Sequence, residues 1–370
     1  MPEKTSLYIH IPFCRKKCFF CSFPVCIARD PIKDKYLDCL AKESSRHRPR
    51  AVETVYIGGG TPALLNNAQL QRLHERVVKR FSVDPRHEYT IETNPDTMDL
   101  AKARRLKAMG INRVSLGAQT FDPGFLKFLG RTHKAADIRR CFDLLRAAGF
   151  SNINVDVMFG FPGQTLQGLS KDLRLAAALG SEHLSFYNLS IEKNSMFHRL
   201  RLPLPKEDRM AVFYKTVIDE LEAKGFFQYE ISNFAKRGRE SAHNILYWEC
   251  QNYIGLGMGA HTHKNGRRSW NVASVYAYMK AVTTTGVAEE GHETLGPRRR
   301  LTEALCFGLR MNKGVDVAGL EKRFGNALSA RQKKQIARFI DHGFLTCPQN
   351  VLAATLKGRL VLDELCGYLI

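Results

Sequence analysis

The chain has 370 residues, 44% of them hydrophobic, and a formal net charge of +20. This length suits one large domain with a small appendage, and the apolar content is enough to fill a core. No apolar run approaches the ~20 residues that a transmembrane helix needs, so we expect a soluble protein.

The positive charge is spread along the chain, and its densest run, Arg298-Arg299-Arg300, is short. No aromatic residues interleave with basic ones as in nucleic-acid-binding motifs, so we expect no nucleic-acid partner. A basic surface that tolerates carboxylated ligands and acidic lipids fits better. Ten cysteines without a secretory leader indicate a reducing compartment. Met1 lies only a few residues before the first predicted strand, which leaves no room for a transit peptide, and we expect a cytoplasmic location.

Short β-branched runs alternate with longer amphipathic patterns in the first 225 residues. The predicted strands are residues 7–11, 54–57, 89–92, 113–116, 153–158 and 183–189. The predicted helices are residues 33–46, 67–81, 99–109, 135–148, 166–179 and 206–224. Six βα units imply a parallel sheet, either a partial barrel or a doubly wound sheet.

After residue 225 the regular alternation stops. Residues 228–231 are predicted as a further strand, and residues 232–271 are polar and glycine-rich. A compact tail follows, with helices predicted at 302–309, 320–324 and 331–343 and a hairpin near 346–354, a pattern typical of a winged-helix-like module. We therefore expect a barrel domain at 1–225, a connecting segment at 226–296 and a small C-terminal domain at 297–370.

Three cysteines, Cys14, Cys18 and Cys21, form a C-x3-C-x2-C loop directly after the first strand. Three thiolates can hold three irons of a [4Fe–4S] cube, which leaves the fourth iron open to a small molecule. Such a loop is the mark of radical S-adenosylmethionine (SAM) chemistry, in which SAM chelates the open iron and is cleaved to a 5′-deoxyadenosyl radical. The alternative is a structural zinc site with Cys26 or His10 as the fourth ligand.

Polar and glycine-rich motifs follow the later strands, and their positions favour the barrel over the doubly wound sheet. The motif GGGTP at 58–62, together with Glu92, Gln119 and Asp156, lies at or near the predicted strand ends. Barrel enzymes collect their chemistry at that rim. The glycines of GGGTP can bring the backbone close to a ligand, and we predict a cradle for the amino group of SAM; an ordinary βα turn is the alternative. The turn FGFPG at 159–163 is either a surface against adenine or a simple loop.

The string HNILYW at 243–248 lies in a segment without strong helical or strand periodicity. His243 could ligate heme iron through a neutral imidazole, and the alternative is a histidine satisfied by packing. A second glycine-rich loop at 255–261 is too loose for a dinucleotide-binding fingerprint.

Taken together, YIHIPFC, GGGTP, ETNP, GAQTFD, FGFPGQT, YEISNFAK and HNILYW resemble the oxygen-independent coproporphyrinogen III oxidase-like family of radical SAM proteins. The closest likeness is to its heme chaperone, HemW-type branch, and it covers nearly the whole chain. The resemblance implies an α/β fold: a partial (β/α)6 TIM-like barrel with a small, helix-rich, winged-helix-like C-terminal domain.

The resemblance also implies roles for individual residues. Cys14, Cys18 and Cys21 would hold the [4Fe–4S] cluster. A SAM site would be formed by Tyr8, Gly59, Gly60, Thr61, Glu92, Gln119, Arg131, Asp156 and Ser190. His243 and Tyr247 match an HNxxY motif that the heme-binding branch associates with heme.

Two departures separate this chain from the oxidases of the family. Their fourth cysteine, two positions after the third, is replaced here by Phe23, and their long N-terminal extension is absent. Both argue against oxidative decarboxylation of coproporphyrinogen. We therefore expect a heme-binding protein that delivers heme to an acceptor, which a membrane could hold, with a separate reductant for the cluster. A radical SAM methyltransferase, a coproporphyrinogen III dehydrogenase and a non-enzymatic sensor remain alternatives, and the sequence sets no oligomeric state.

Overall fold

The computed structural model describes residues 4–48 and 50–370. Twelve strands form one sheet: β1 (Thr5–Ile11), β2 (Arg50–Gly59), β3 (Phe81–Thr93), β4 (Arg113–Gln119), β5 (Ile153–Phe159), β6 (His183–Asn188), β7 (Phe227–Glu230), β8 (Asn233–Ala235), β9 (Asn252–Leu256), β10 (His261–Lys264), β11 (Arg267–Asn271) and β12 (Glu289–Thr294). A small second sheet contains β13 (Val315–Asp316), β14 (Leu345–Thr346) and β15 (Val351–Ala354).

The α-helices of the described residues are α1 (Asp30–Ser44), α2 (Asn67–Arg76), α3 (Leu100–Ala108), α4 (Pro123–Phe128), α5 (Ala135–Ala147), α6 (Leu166–Ala178), α7 (Met196–Arg199), α8 (Glu207–Glu222), α9 (Ala242–Trp248), α10 (Val275–Thr285), α11 (Pro297–Gly308), α12 (Val317–Phe324), α13 (Ala330–Asp341), α14 (Leu356–Leu360) and α15 (Leu362–Leu369). Among these residues, no helix is both long and apolar enough to cross a membrane.

The large sheet has the strand order β12-β11-β10-β9-β1-β2-β3-β4-β5-β6-β8-β7. Strands β1 to β6 run parallel in chain order, which confirms the six predicted βα units and the partial barrel. Strand β9 adds a seventh parallel strand on the other side of β1, where Tyr8 pairs with Gly255. The order begins at β12 and ends at β7, so the hydrogen-bonded ladder described here remains open.

Most predicted elements of the barrel are confirmed, with shifts at their ends. The helix predicted at 67–81 ends at Arg76, because a short 3₁₀ turn at Val78–Arg80 leads directly into β3. In the tail, α11 starts at Pro297 rather than at residue 302. The predicted hairpin is confirmed, with Leu345 of β14 opposite Ala354 of β15.

Three separate groups of buried apolar side chains fill the described part of the molecule. The largest group runs from Leu7 to Ala288 and includes Ile254 and Leu256 of β9. A second group runs from Leu301 to Leu369. The smallest group consists of Leu129, Met158, Phe161, Leu189 and Phe197. Residues 226–296, predicted as a connecting segment, therefore carry strands β7 to β12 of the large sheet.

Candidate functional site

A cavity of about 610 Å³ opens at the carboxyl ends of the parallel strands, and we name it the cluster cavity. The predicted residues that line it are Cys14, Cys18, Cys21, Gly59, Gly60, Thr61, Glu92, Gln119, Arg131, Asp156 and Ser190. They come from the cysteine loop and from segments that follow successive parallel strands. The structure thus brings together every predicted cluster and SAM residue except Tyr8.

The cysteine loop is pinned at both ends to the extension of β1. The amide of Cys14 donates to the carbonyl of Cys26 (3.1 Å), and the amide of Cys26 donates to the carbonyl of Pro12 (2.8 Å). The loop between them carries three free thiols on one wall of the cavity. Burial raises the pKa of Cys14 to about 11. Metal binding at this wall must therefore release protons, because thiolates are the ligands.

The thiols do not form a compact single-ion site. Within residues 4–48 and 50–370, no three His, Cys, Asp or Glu side chains form a group that could hold a metal ion. The ligands of an iron–sulfur cube bind separate irons, and a wall of three thiols facing open space suits that donor set. Neither Cys26 nor His10, the two candidates for the fourth zinc ligand, lines the cavity.

The GGGTP turn packs directly on the end of β1 and on the residues that lead from it into the cysteine loop. Gly59 has φ +111°, and a Cβ at this position would lie 2.5 Å from Cε1 of His10. A Cβ on Gly60 would lie 2.8 Å from the carbonyl oxygen of Phe13. The amide of Thr61 donates to that same oxygen (2.8 Å). Only glycine allows this close approach of two backbones, which holds the turn against the cysteine loop.

Two carboxylates lie on the strand ends that follow. Glu92 accepts hydrogen bonds from the Tyr56 hydroxyl (2.8 Å) and the Gly59 amide (3.0 Å). Burial, with a smaller contribution from the nearby Asp156 charge, raises the pKa of Glu92 to about 7. Asp156 accepts from the Ser115 hydroxyl (2.8 Å), and burial raises its pKa as well. These two groups can therefore hold ligand hydroxyl or amine groups.

Arg131 connects the cysteine wall to the strand ends. Its guanidinium donates to Cys18 Sγ (3.5 Å), Asn94 Oδ1 (2.8 Å) and the carbonyl oxygen of Gly117 (2.7 Å). Asn94 in turn donates to Thr61 Oγ1 (3.0 Å). Asn94 was not predicted as a site residue, although it belongs to the ETNP motif, in which only Glu92 was assigned a role.

Of the three remaining residues predicted for the SAM site, two line the cluster cavity and one does not. Gln119 ends β4 with φ 70° and lines the cluster cavity. Ser190 also lines it, and its hydroxyl donates to Glu192 (3.0 Å). Tyr8 does not line it; its ring stacks on Tyr56, which does, with 6.2 Å between the ring centroids.

Tyr8 instead lines a second cavity of about 430 Å³, which we name the aromatic cavity. Its aromatic walls are Tyr8, Phe23, Tyr247, Trp248, Tyr253, Phe307 and Phe324. His10, His261 and His263 also line it. Phe23 lines both cavities, so the two spaces lie side by side. Apart from the HNILYW string, no motif of the sequence indicates this cavity.

The HNILYW string forms helix α9, although its periodicity is weak. Ser241 caps the helix by accepting from the Asn244 amide. Glu88 of β3 accepts from the amides of Ala242 (2.8 Å) and His243 (3.2 Å), and it satisfies two donors of the first turn. A carboxylate from a strand that is distant in sequence thus stabilises the first turn of this helix.

His243 and Tyr247 lie one helical turn apart and contact each other. The His243 ring is buried, with Nδ1 2.7 Å from Thr54 Oγ1 and Nε2 3.0 Å from the Tyr247 hydroxyl. Burial lowers the pKa of His243 to about 3. Tyr247 lines the aromatic cavity and His243 does not. His243 therefore occupies the packed position of the alternative hypothesis, and its role as a heme ligand stays a prediction.

The C-terminal helices form one wall of the aromatic cavity. Arg323 of α12 donates to the carbonyl oxygens of Glu249 (2.7 Å) and Cys250 (2.8 Å), just beyond the end of α9. Lys313 pairs with the Glu249 carboxylate (2.6 Å). These contacts place Phe307 and Phe324 opposite α9, so the cavity exists only when the tail is docked.

The chain is similar to known proteins. Residues 8–176 match the family model of the radical SAM superfamily, and residues 295–361 match that of the HemN C-terminal domain. The heme chaperone HemW of Bacillus subtilis (strain 168) is 35% identical over 98% of this chain and 98% of its own length. A mitochondrial protein of Danio rerio, radical S-adenosyl methionine domain-containing protein 1, is 30% identical over 98% of this chain and 86% of its own.

Among solved structures, coproporphyrinogen III oxidase (HemN) from Escherichia coli, described as a radical SAM enzyme, superposes with a TM-score of 0.88. The two are 25% identical, and the match covers 99% of this chain and 90% of that one.

Proposed function

Because this chain belongs to the radical SAM superfamily and, within it, to the HemW heme chaperone family, we propose that it binds heme and delivers it to an acceptor protein. The observation that carries the proposal is the adjacency of two different cavities in such a chain. One is polar and lined by three thiols, and the other is aromatic and lined by histidines. Heme needs apolar contact area and an iron ligand, and the aromatic cavity offers both.

Cys14, Cys18 and Cys21 would hold a [4Fe–4S] cluster in the cluster cavity. The Arg131 guanidinium lies 3.5 Å from Cys18 Sγ and would stabilise the thiolate charge. Glu92 and Asp156 would accept hydrogen bonds from the hydroxyl groups of SAM, and the Gly59–Gly60 backbone would lie against its methionine part. When bound, the cluster and SAM supply one-electron reducing chemistry; here we assign them to the transfer of heme or to its regulation.

The acceptor and the location are further parts of the proposal. The net charge of +20 suits a ligand with carboxylates, or an acceptor at an acidic membrane surface. We place the protein in the cytoplasm, where thiols stay reduced, together with a reductant for the cluster.

A second candidate is a radical SAM enzyme, because the fold matches that of coproporphyrinogen III oxidase with a TM-score of 0.88. Phe23, which stands where those oxidases have a cysteine, weakens this candidate. The two candidates differ in product: an enzyme releases 5′-deoxyadenosine together with a changed substrate, whereas a chaperone returns heme unaltered.

The test is anaerobic reconstitution of the full chain with iron and sulfide, followed by titration with hemin and then by addition of apo-globin. We expect a cluster absorbance, a separate heme absorbance, and movement of heme to the globin. Failure of the wild-type protein to bind hemin would refute the proposal. Bound heme that never moves to the globin would remove the delivery step, and stoichiometric 5′-deoxyadenosine with an altered porphyrin would favour the enzyme.

A further inference from the structure

We propose that the aromatic cavity is the heme site and that Nε2 of His10, rather than a nitrogen of His243, ligates the iron. This inference rests on the proposed heme binding and names its site. His10 lies on β1, between the aromatic cavity, which it lines, and Gly59 of the cluster cavity.

The cavity has the chemistry of a site for a planar apolar ligand. Its volume of about 430 Å³ is within the range of about 300–1,000 Å³ that small-molecule sites occupy. Seven aromatic side chains line it, and they come from both the barrel and the C-terminal helices. Aromatic walls offer a macrocycle stacking and edge contacts. The open side of the cavity would leave part of the heme accessible to an acceptor.

His10 carries a buried polar atom that has no protein partner. The side chain exposes 5% of its surface, and its Nε2 has no hydrogen-bond partner among the described residues. Buried polar atoms in native proteins are paired, so each exception needs an explanation. Because His10 lines the aromatic cavity and not the cluster cavity, a ligand in the aromatic cavity is the partner that its position suits.

The other ring nitrogen of His10 is already held. Its Nδ1 lies 3.0 Å from the Tyr8 hydroxyl. In the tautomer where Nδ1–H donates to Tyr8, the Nε2 lone pair is free for iron, and such an outer partner orients a metal-bound histidine. Ligation would then form one iron–nitrogen bond and release a water from the iron, and no proton or electron would move. Gly59, with no side chain, leaves room for this ring.

A second unpartnered atom lies in the same wall. Nε1 of Trp248 is buried and has no hydrogen-bond partner in the described part of the chain. An indole N–H can only donate, so it suits a ligand with acceptor oxygens, as the propionates of heme have. Arg268 also lines the cavity, although it already pairs with Glu293 (3.0 Å) and Glu303 (2.6 Å).

His243 has a different role in this arrangement. Both of its ring nitrogens are bonded, to Thr54 and to Tyr247, and it does not line the cavity. It is a positioning residue that holds the Tyr247 ring in the cavity wall. Ligation by His243 would require breaking the bond to Tyr247, whereas ligation by His10 breaks none.

The test is hemin titration of the anaerobically reconstituted full chain, comparing His10→Ala with His243→Ala and His261→Ala. In His10→Ala we expect loss of the imidazole-bound ferric heme spectrum and at least a tenfold loss of affinity. Added free imidazole should fill the vacated space and restore that spectrum. The other two variants should keep the histidine-ligated spectrum, because His10 remains in both. His261→Ala tests the competing ligand, since His261 is an exposed histidine of the same cavity wall.

Iron content and SAM binding are measured on the same samples. A His10→Ala protein with the wild-type heme spectrum and affinity would overturn the inference while leaving the proposed function intact. Loss of SAM with an unchanged heme spectrum would assign His10 to the cluster cavity and would also overturn it. A wild-type protein that binds no hemin would refute the proposed function, and this inference with it.

If His10→Ala does not fold, the near-isosteric variant Tyr8→Phe provides a second test. Tyr8→Phe removes only the hydroxyl that holds Nδ1, and we expect a shifted heme reduction potential. Tyr253→Phe is the matched control, because Tyr253 lines the same cavity and does not bond His10. Equal potentials in Tyr8→Phe, Tyr253→Phe and the wild type would contradict ligation by His10.

Discussion

The cluster cavity and the aromatic cavity differ in how the chain builds them. The cluster cavity collects residues at the ends of successive parallel strands, and its polar groups already bond one another, as Arg131, Asn94 and Thr61 do. The aromatic cavity joins residues as far apart as Tyr8 and Phe324, and within the described residues Nε2 of His10 and Nε1 of Trp248 have no hydrogen-bond partner. The first is arranged by the barrel alone, whereas the second depends on docking of the C-terminal helices.

The variant with the largest expected effect tests whether cluster binding and heme binding are independent of each other. Cys18→Ser removes one of the three thiols, and we expect reconstituted iron, sulfide and SAM binding to be lost because too few ligands remain. Hemin affinity should stay at the wild-type value, since no cysteine of the loop lines the aromatic cavity. Iron and sulfide analysis with hemin titration measures both. Cys347→Ser, at an exposed cysteine of the C-terminal region, is the control, and joint loss of cluster and heme would show that the cavities are not separate.

Glu88→Ala should destabilise the folded protein and, of the two cavities, damage the aromatic one. Glu88 holds the first turn of α9 and lies 3.9 Å from Arg113, whose side chain is 2% exposed. Removing the carboxylate leaves a buried guanidinium unpaired, and we expect unfolding to become easier by about 3–5 kcal/mol. Urea unfolding measures this loss, and hemin affinity should fall while cluster content is kept.

The control for Glu88→Ala is Glu75→Ala, at an exposed position of α2. It should change stability by no more than about 0.5 kcal/mol. Equal stability of the two variants would contradict the assignment of Glu88 to α9.

In the cofactor-free protein, Glu92→Gln should raise the free energy of unfolding, and the increase should depend on pH. The pKa of Glu92 is raised from its ordinary value of 4.5 to about 7, so the folded state prefers the protonated acid. Stability from this group is complete below about pH 4.5 and is lost as the pH rises through about 7. Glutamine mimics the protonated acid, with its Nε2 donating to the Tyr56 hydroxyl and its Oε1 accepting from the Gly59 amide.

Unfolding at pH 5 and pH 8 measures this difference. We expect similar stability at pH 5 and an advantage for the variant of about 3 kcal/mol at pH 8. SAM binding should weaken in the variant, because an acceptor oxygen is lost. An advantage that is the same at both pH values would contradict a raised pKa at Glu92.

Phe23→Ala should have the smallest effect on stability. It should nevertheless change how the ligands of both cavities are held. Phe23 is 57% exposed and lines both spaces. We expect a stability change within about 0.5 kcal/mol, with faster heme release and faster bleaching of the cluster in air. Ile27→Ala is the matched control, since Ile27 is 68% exposed in the same region and lines neither cavity. Unchanged rates in Phe23→Ala would mean that this side chain does not separate the two spaces.

Much of the barrel could be predicted from local patterns. The six parallel strands follow from short β-branched runs between amphipathic helices, and their ends carry the predicted rim residues. Strand β9 was missed, because its five residues include a glycine and its parallel partner β1 lies almost 250 positions earlier. Helix α9 was missed because its first turn is satisfied by Glu88, 155 positions before His243.

The sequence by itself determined the cysteine loop and the polar rim of the cluster cavity. Parallel strands bring their carboxyl ends to one edge of a sheet. The residues that follow correctly predicted strands of βα units therefore lie close together at that edge. Tertiary structure alone decided that Tyr8 and His10 face a second cavity, and that His243 is packed while Tyr247 lies in the wall. These outcomes depend on contacts between distant segments, such as Arg323 with the end of α9, which no local periodicity encodes.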